Sequence, residues 1–270
     1  MADIEFLENK AKAIRRDIIE QVYNAKSGHP GGSLSIADII TVLYFDELNI
    51  DENNSRWEDR DRLILSKGHC APALYAALAE RGFFEKEKLK TVRKLNSNLQ
   101  GHPSMKEIPG VDMSTGSPGQ GFSIAIGIAI AGKLNNKNYR TYCILGDGEI
   151  EEGQIWEAAM SANKYKLDNL CVIVDNNNLQ IDGTIEEVMD SNPIDEKFKS
   201  FGFNVITIDG HNLEQIKLAF WQAKQIKDKP TCIIAKTIKG KGVSFMENKV
   251  EWHGKAPNEE QYNQAMEEIG

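Results

Sequence analysis

Residues 139–177 read YRTYCILGDGEIEEGQIWEAAMSANKYKLDNLCVIVDNN. The apolar run at 139–145 predicts a strand, the amphipathic stretch at 151–165 a helix, and the continuous apolar run at 169–175 a second strand. A helix between two strands makes them parallel, and strands apolar on both faces belong in a sheet covered on both sides. The first strand stops at Gly146-Asp147-Gly148 and the second at Asn176-Asn177. Parallel strands place both stops on one edge of the sheet, where such sheets bind ligands.

The same alternation extends outward. Helix is predicted to about Ala25, broken by SGHPGGS and resumed through SLSIADIITVLYF, with Ser35 and Asp38 as a capping box. RDRLILS reads as a strand, KGHCAP as a loop, and ALYAALAERGFF as a helix closed by Gly82. The stretch 85–120 is punctuated by glycine and proline. An Ala/Ile/Gly helix follows to about Lys133, its small residues suited to close packing. FNVITID, NLEQIKLAFWQAKQ and PTCIIAKTI add strand, helix and strand. The expectation is an α/β fold, a parallel sheet with helices on both faces, and residues 1–270 as a single domain.

A net charge of −8 argues against a nucleic-acid partner. The longest apolar stretch, FSIAIGIAIAG, is too short to span a bilayer. Cys143, Cys171 and Cys232 lie in strand-like runs and read as core residues of a reduced, cytoplasmic protein. Lys236, Lys239 and Lys241 read as a solvated basic face, with phosphate binding as the lesser alternative, and DGHN around His211 reads equally as a helix-start turn or as a functional motif.

One carboxylate, Asp147, and one amide oxygen from the Asn176-Asn177 pair are hard ligands. They suit Mg²⁺ or Ca²⁺ that completes its shell with carbonyl, water and phosphate oxygens. The glycines flanking Asp147 let the main chain approach a phosphate. Singly, GDG and NN are ordinary turns. Together, on one sheet edge, they resemble the thiamine-diphosphate motif. That resemblance implies metal ligation by Asp147, Asn177 and the backbone carbonyl of Leu179.

Four of the five histidines, His29, His69, His102 and His253, stand in glycine-flanked loops. SGHPGGSLSIADI, LSKGHCAPALYAAL, GHPS, PGVDMSTGSPGQGFSIAIG, GDG and WHG occur in the order of the amino-terminal part of transketolase, which the chain resembles over its whole length. The resemblance implies a thiamine-diphosphate-binding fold and transfer of a two-carbon ketol unit between sugar phosphates, in pentose phosphate metabolism or a specialised sugar route. His29, His69, His102 and His253 would line the substrate channel. His69, Gly116, Pro118, Asp147, Gly148, Glu149 and Asn177 would contact the cofactor, and Glu152 would join an acidic network at a subunit interface. Position 118, usually leucine in the family, is proline here, so its carbonyl can bind but no N–H is available.

Transketolases are usually more than twice this length, with a second domain that supplies the catalytic glutamate. The resemblance therefore implies a partner polypeptide carrying that domain, in a heterotetramer. Its rivals are the alpha subunit of a 2-oxoacid dehydrogenase, a Mg²⁺-dependent phosphohydrolase using Asp147, and a non-catalytic binding subunit.

Overall fold

A computed structural model describes residues 2–270. Five strands form its sheet: β1 (Arg62–Leu65), β2 (Thr141–Gly146), β3 (Leu170–Asn176), β4 (Asn204–Asp209) and β5 (Thr231–Lys236). All are parallel, in the order β1-β2-β3-β5-β4. The helices in chain order are α1 (Ile4–Ala25), α2 (Pro30–Ser35), α3 (Ala37–Val42), α4 (Ala71–Arg81), α5 (Gln120–Leu134), α6 (Gly153–Lys164), α7 (Ile185–Val188), α8 (Ile194–Ser200), α9 (Leu213–Gln225) and α10 (Glu259–Ile269).

Alternation along each strand divides the core into two layers. Tyr142, Ile144, Cys171, Ile173 and Ile233 face one side, packed with residues of α1, α3, α4 and α9. Cys143, Leu145, Val172, Val174, Cys232 and Ile234 face the other, packed with α5, α6 and α8. Both faces of the sheet are therefore covered, as the apolar strand runs require. All four cysteines are buried thiols. Among the described residues no helix is long and apolar enough to cross a membrane.

In α5, small residues permit close approach at two points. A Cβ on Gly121 would lie 2.7 Å from the Ser66 backbone, and one on Gly132 would lie 2.9 Å from the Tyr139 ring.

Three local expectations are corrected. SGHPGGS is not only a break, because Pro30 opens α2 at its first position, where a missing N–H costs nothing. The expected loop KGHCAP contains a 3₁₀ turn at Gly68–Cys70 and then enters α4. Ser35 does not cap a helix. Its hydroxyl donates to Asp175 Oδ2 at 2.5 Å, with the Gly32 carbonyl 3.0 Å away, and α3 begins without a side-chain cap. A buried carboxylate at the end of β3 outcompetes the local cap.

The carboxyl edge gathers the functional positions. Register pairs Gly146 with Asp175, and Asn176 with Lys236. Asp147, Asn177 and Thr237 therefore leave the sheet side by side.

Candidate active site

Along this edge runs a cleft of about 400 Å³. Its walls include His29, His69, Gly116, Pro118, Asp147, Gly148, Glu149, Glu152, Asn177, Leu179 and His253, all singled out in the sequence. His102 stands outside this lining. It is exposed at the rim, where a Cβ on Gly116 would come within 3.3 Å of its ring.

The floor is a hydrogen-bonded carboxylate cluster. Asp147 accepts from the Gly148 N–H at 2.9 Å on Oδ1, and from the Asn178 N–H at 2.6 Å and Asn176 Nδ2 at 3.2 Å on Oδ2. Burial and the neighbouring Asp175 push its carboxyl up to about 6. Asn177 donates from Nδ2 to Asp175 at 2.9 Å, which fixes its amide so that Oδ1 is the free-facing atom, shared only with the Leu179 N–H at 3.1 Å.

Asp175 was missed in the sequence and is fully buried. It accepts from Lys67, Ser35, Asn177 and Thr237. Burial disfavours both charges of the Lys67–Asp175 pair. Their attraction outweighs it, holding Lys67 above and Asp175 below their ordinary ranges. The missed signal was a lysine and an aspartate at the ends of two apolar strands, where each charge needs a partner.

Glu149 lines the cleft but acts as a brace. Oε1 accepts from the Ser66 hydroxyl and the Gly119 N–H, and Oε2 from the Gly146 N–H at 3.0 Å. It thereby ties the Gly116–Gly119 loop to the GDG turn. Pro118 has no N–H, and the next one, on Gly119, is taken by Glu149. This loop also fits closely against the 3₁₀ turn that follows β1. A Cβ on Gly68 would lie 2.7 Å from the Thr115 carbonyl carbon and 2.8 Å from the Gly116 nitrogen. Gly68→Ala is therefore expected to displace residues 115–116 and cost about 1–3 kcal/mol in urea unfolding, as overpacking against backbone does. An unchanged midpoint would contradict the contact.

Above the floor, His29, His69 and His253 form a triangle with ring centroids 5.1 to 5.4 Å apart. Burial first, then neighbouring imidazoles and lysines, lowers His29 and His69 to about 4 and His253 to about 3. All three are neutral at pH 7 and can each donate and accept. The linkage follows in sign. Between the unfolded value near 6.5 and the folded values, the folded chain binds fewer protons. Stability is therefore full above pH 6.5 and falls as pH drops toward 4, by up to ~1.4 kcal/mol per pH unit for each histidine. His29→Gln should remove about one proton from that slope in urea unfolding between pH 7 and 5. An unchanged slope would show that His29 is not held neutral.

Lys239 corrects the expected solvated face. It is 2% exposed and donates to the Leu179 carbonyl at 3.0 Å, with His253 Nδ1 3.1 Å away. Burial and Lys67 lower it to about 8. Lys236 is exposed and donates to Asn176, and Lys241 lies 3.3 Å from Glu247. Glu152 is exposed at the open edge of the cleft, at the start of α6.

Among the described residues no group of three or more His, Cys, Asp or Glu could cage a metal. One buried carboxylate, one oriented amide oxygen and one backbone carbonyl are a partial, all-oxygen set. That set fits a hard cation that takes its remaining ligands from water and phosphate. Neighbouring Lys67 and Lys239 and the close-approach backbone at Gly148 suit a diphosphate.

The sequence matches the family described as "Transketolase, thiamine diphosphate binding domain" over residues 7–270. The chain belongs to the transketolase family.

Among curated relatives of transketolase type, an apulose-4-phosphate transketolase subunit of Phocaeicola vulgatus is 42% identical over 266 residues, covering 98% of this chain and 94% of that protein. The 6-deoxy-6-sulfo-D-fructose transketolase subunit SqwG of a Clostridium species is 45% identical over 263 residues, covering 97% and 96%. The solved transketolase of Campylobacter jejuni superposes with a TM-score of 0.94 at 37% identity, covering all of this chain and 43% of that one. The chain thus spans nearly the whole of the subunit-type relatives and about two-fifths of the solved transketolases.

Proposed function

We propose that this chain is the diphosphate-binding subunit of a two-chain transketolase. A single observation carries the reading: one cleft holds both an oxygen-ligand floor with lysines and a roof of three neutral imidazoles. The names of relatives of the same length, transketolase subunits, support a separate partner. Residues 1–270 act as one thiamine-diphosphate-binding unit. Asp147, Asn177 Oδ1 and the Leu179 carbonyl would hold Mg²⁺, and Lys239, beside that carbonyl, would offer its ammonium to the diphosphate. Thiamine diphosphate supplies the carbanion stabilisation that ketol transfer needs.

The chain's own residues bind and orient. His29, His69 and His253, uncharged, exchange hydrogen bonds with sugar hydroxyls and can take or return a proton at a ring nitrogen. His102 at the rim meets the distal part of a sugar phosphate. Gly116 and Pro118 offer main-chain carbonyls to the cofactor. Gly148 lets the main chain approach its phosphates, and Glu149 holds both turns in place. Glu152 faces the partner, which brings the pyrimidine-binding domain and its glutamate, and two such pairs make a heterotetramer.

The test is a pull-down of the tagged chain from its native cell extract, followed by an assay with Mg²⁺ and thiamine diphosphate. Donors are xylulose 5-phosphate and the sugars named for the relatives, with ribose 5-phosphate as acceptor. A co-purifying chain and two-carbon transfer by the pair, with no turnover by either alone, is the expected result. Turnover by this chain alone, or a bound partner with no transfer to any aldose phosphate, would overturn the reading.

A further inference from the structure

His211, set aside in the sequence as part of a turn, is part of a clamp. The Ile238 N–H donates to its Nε2 at 2.8 Å. Nε2 is therefore the acceptor, the ring proton sits on Nδ1, and Nδ1 donates to Asp38 Oδ2 at 2.8 Å. Asp38 is buried and also accepts from Arg15 Nη2 at 2.5 Å. Arg15 Nε in turn donates to the Lys241 carbonyl at 3.3 Å.

The loop after β5 is thus gripped at both ends, at Ile238 by His211 in the turn between β4 and α9, and at Lys241 by Arg15 of α1. Between these grips the Gly240 N–H donates to the Gly31 carbonyl at 3.0 Å. The one side chain that the gripped segment sends into the cleft is Lys239, whose ammonium reaches the Leu179 carbonyl at 3.0 Å and the Gln180 carbonyl at 3.4 Å. A flexible lysine is a poor anchor unless its backbone is held, because its side chain loses much rotamer freedom when fixed.

We infer that His211, oriented by Asp38 and Arg15, is a positioning residue that sets how far Lys239 enters the cleft, and so the affinity for the cofactor's diphosphate. The inference rests on the functional reading above.

Two substitutions dissect it. His211→Asn places an amide near the Nδ1 position and can still donate to Asp38, but leaves the Ile238 N–H without an acceptor. His211→Gln reaches the Nε2 position and can supply that acceptor. In the cofactor-free full chain, hydrogen exchange of the 237–241 peptide is expected to quicken in His211→Asn and to return toward wild type in His211→Gln. In titrations with Mg²⁺ and thiamine diphosphate, His211→Asn should raise Kd about five- to tenfold, the scale of one lost hydrogen bond, with recovery in His211→Gln. In a Lys239→Met background, His211→Asn should have no further effect on Kd.

Unchanged exchange in His211→Asn would overturn the clamp. An equal loss of affinity with and without Lys239 would overturn the positioning role, since a merely structural histidine acts independently of that lysine. A wild-type chain that binds no thiamine diphosphate even with its partner present would instead refute the functional reading, while the exchange result still decides the clamp.

Discussion

Asp147→Ala is expected to weaken binding of Mg²⁺–thiamine diphosphate by at least ~100-fold, because even outer partners of a metal ligand contribute 10–100-fold. Asp147 brings the only carboxylate of the proposed ligand set. Its Oδ1 and Oδ2 are held in place by the Gly148 N–H, the Asn178 N–H and Asn176 Nδ2. Asp175, the nearest candidate to replace it, is committed to Lys67, Ser35, Asn177 and Thr237.

Asp147→Asn separates affinity from stability. In the cofactor-free chain burial and Asp175 already disfavour the charge on Asp147, so removing it relieves that cost while the amide NH₂ loses one accepted N–H bond, and the net loss of unfolding free energy should stay within about 1–2 kcal/mol. Calorimetric titration and urea unfolding on the same preparations check both parts. Retained affinity would sink the metal-ligand assignment. Lost affinity accompanied by several kcal/mol of lost stability would make Asp147 a structural residue instead.

Lys67→Met carries the largest expected effect on stability. Lys67 and Asp175 are among the most buried charges of the fold, and truncating one leaves the other uncompensated in the core. Breaking such a pair costs about 3–5 kcal/mol, whereas replacing both charges is often close to neutral. Lys67→Met should therefore lower urea-unfolding stability on that scale, and Lys67→Met with Asp175→Asn should recover much of it. Additive losses would show that the pair is not coupled. Cofactor affinity should stay low in the double variant, because the Lys67 ammonium is lost from the cleft and the hydrogen bond that orients the Asn177 amide, proposed as a ligand, loses its charged acceptor.

These two residues also mark how far local sequence reaches. Asp147 was legible because two local signals coincide: a strand that ends in Gly-Asp-Gly and a following strand that ends in Asn-Asn, each an ordinary turn by itself. Parallel topology then joined them on one sheet edge without any coordinates, and the resemblance to the thiamine-diphosphate motif singled out Asn177 from the Asn176-Asn177 pair. The strand assignments and the two-faced core were legible for a similar reason, since alternation and continuous apolar runs answer to short-range geometry. His29, His69 and His253 could be named from their glycine-flanked loops.

That these three rings meet within 5.4 Å, while His102 stays at the rim, depends on contacts between segments as far apart as residues 29 and 253. Ser35 shows the limit most directly. By local rules it is a helix cap, and in the fold its hydroxyl goes to Asp175 because an unsatisfied buried carboxylate costs more than a missing cap. Lys239 is the same case on the opposite charge. A lysine in a polar loop looks solvated until the chain closes over it, and only the closed chain supplies the carbonyls that receive its ammonium. Turn chemistry and strand periodicity are properties of neighbouring residues, so the sequence alone determined the strands of the sheet, the edge on which the cleft opens and most of the residues that line it. The pairing of buried charges is a property of residues far apart in the chain, so only the tertiary structure decided which of them hold the others in place.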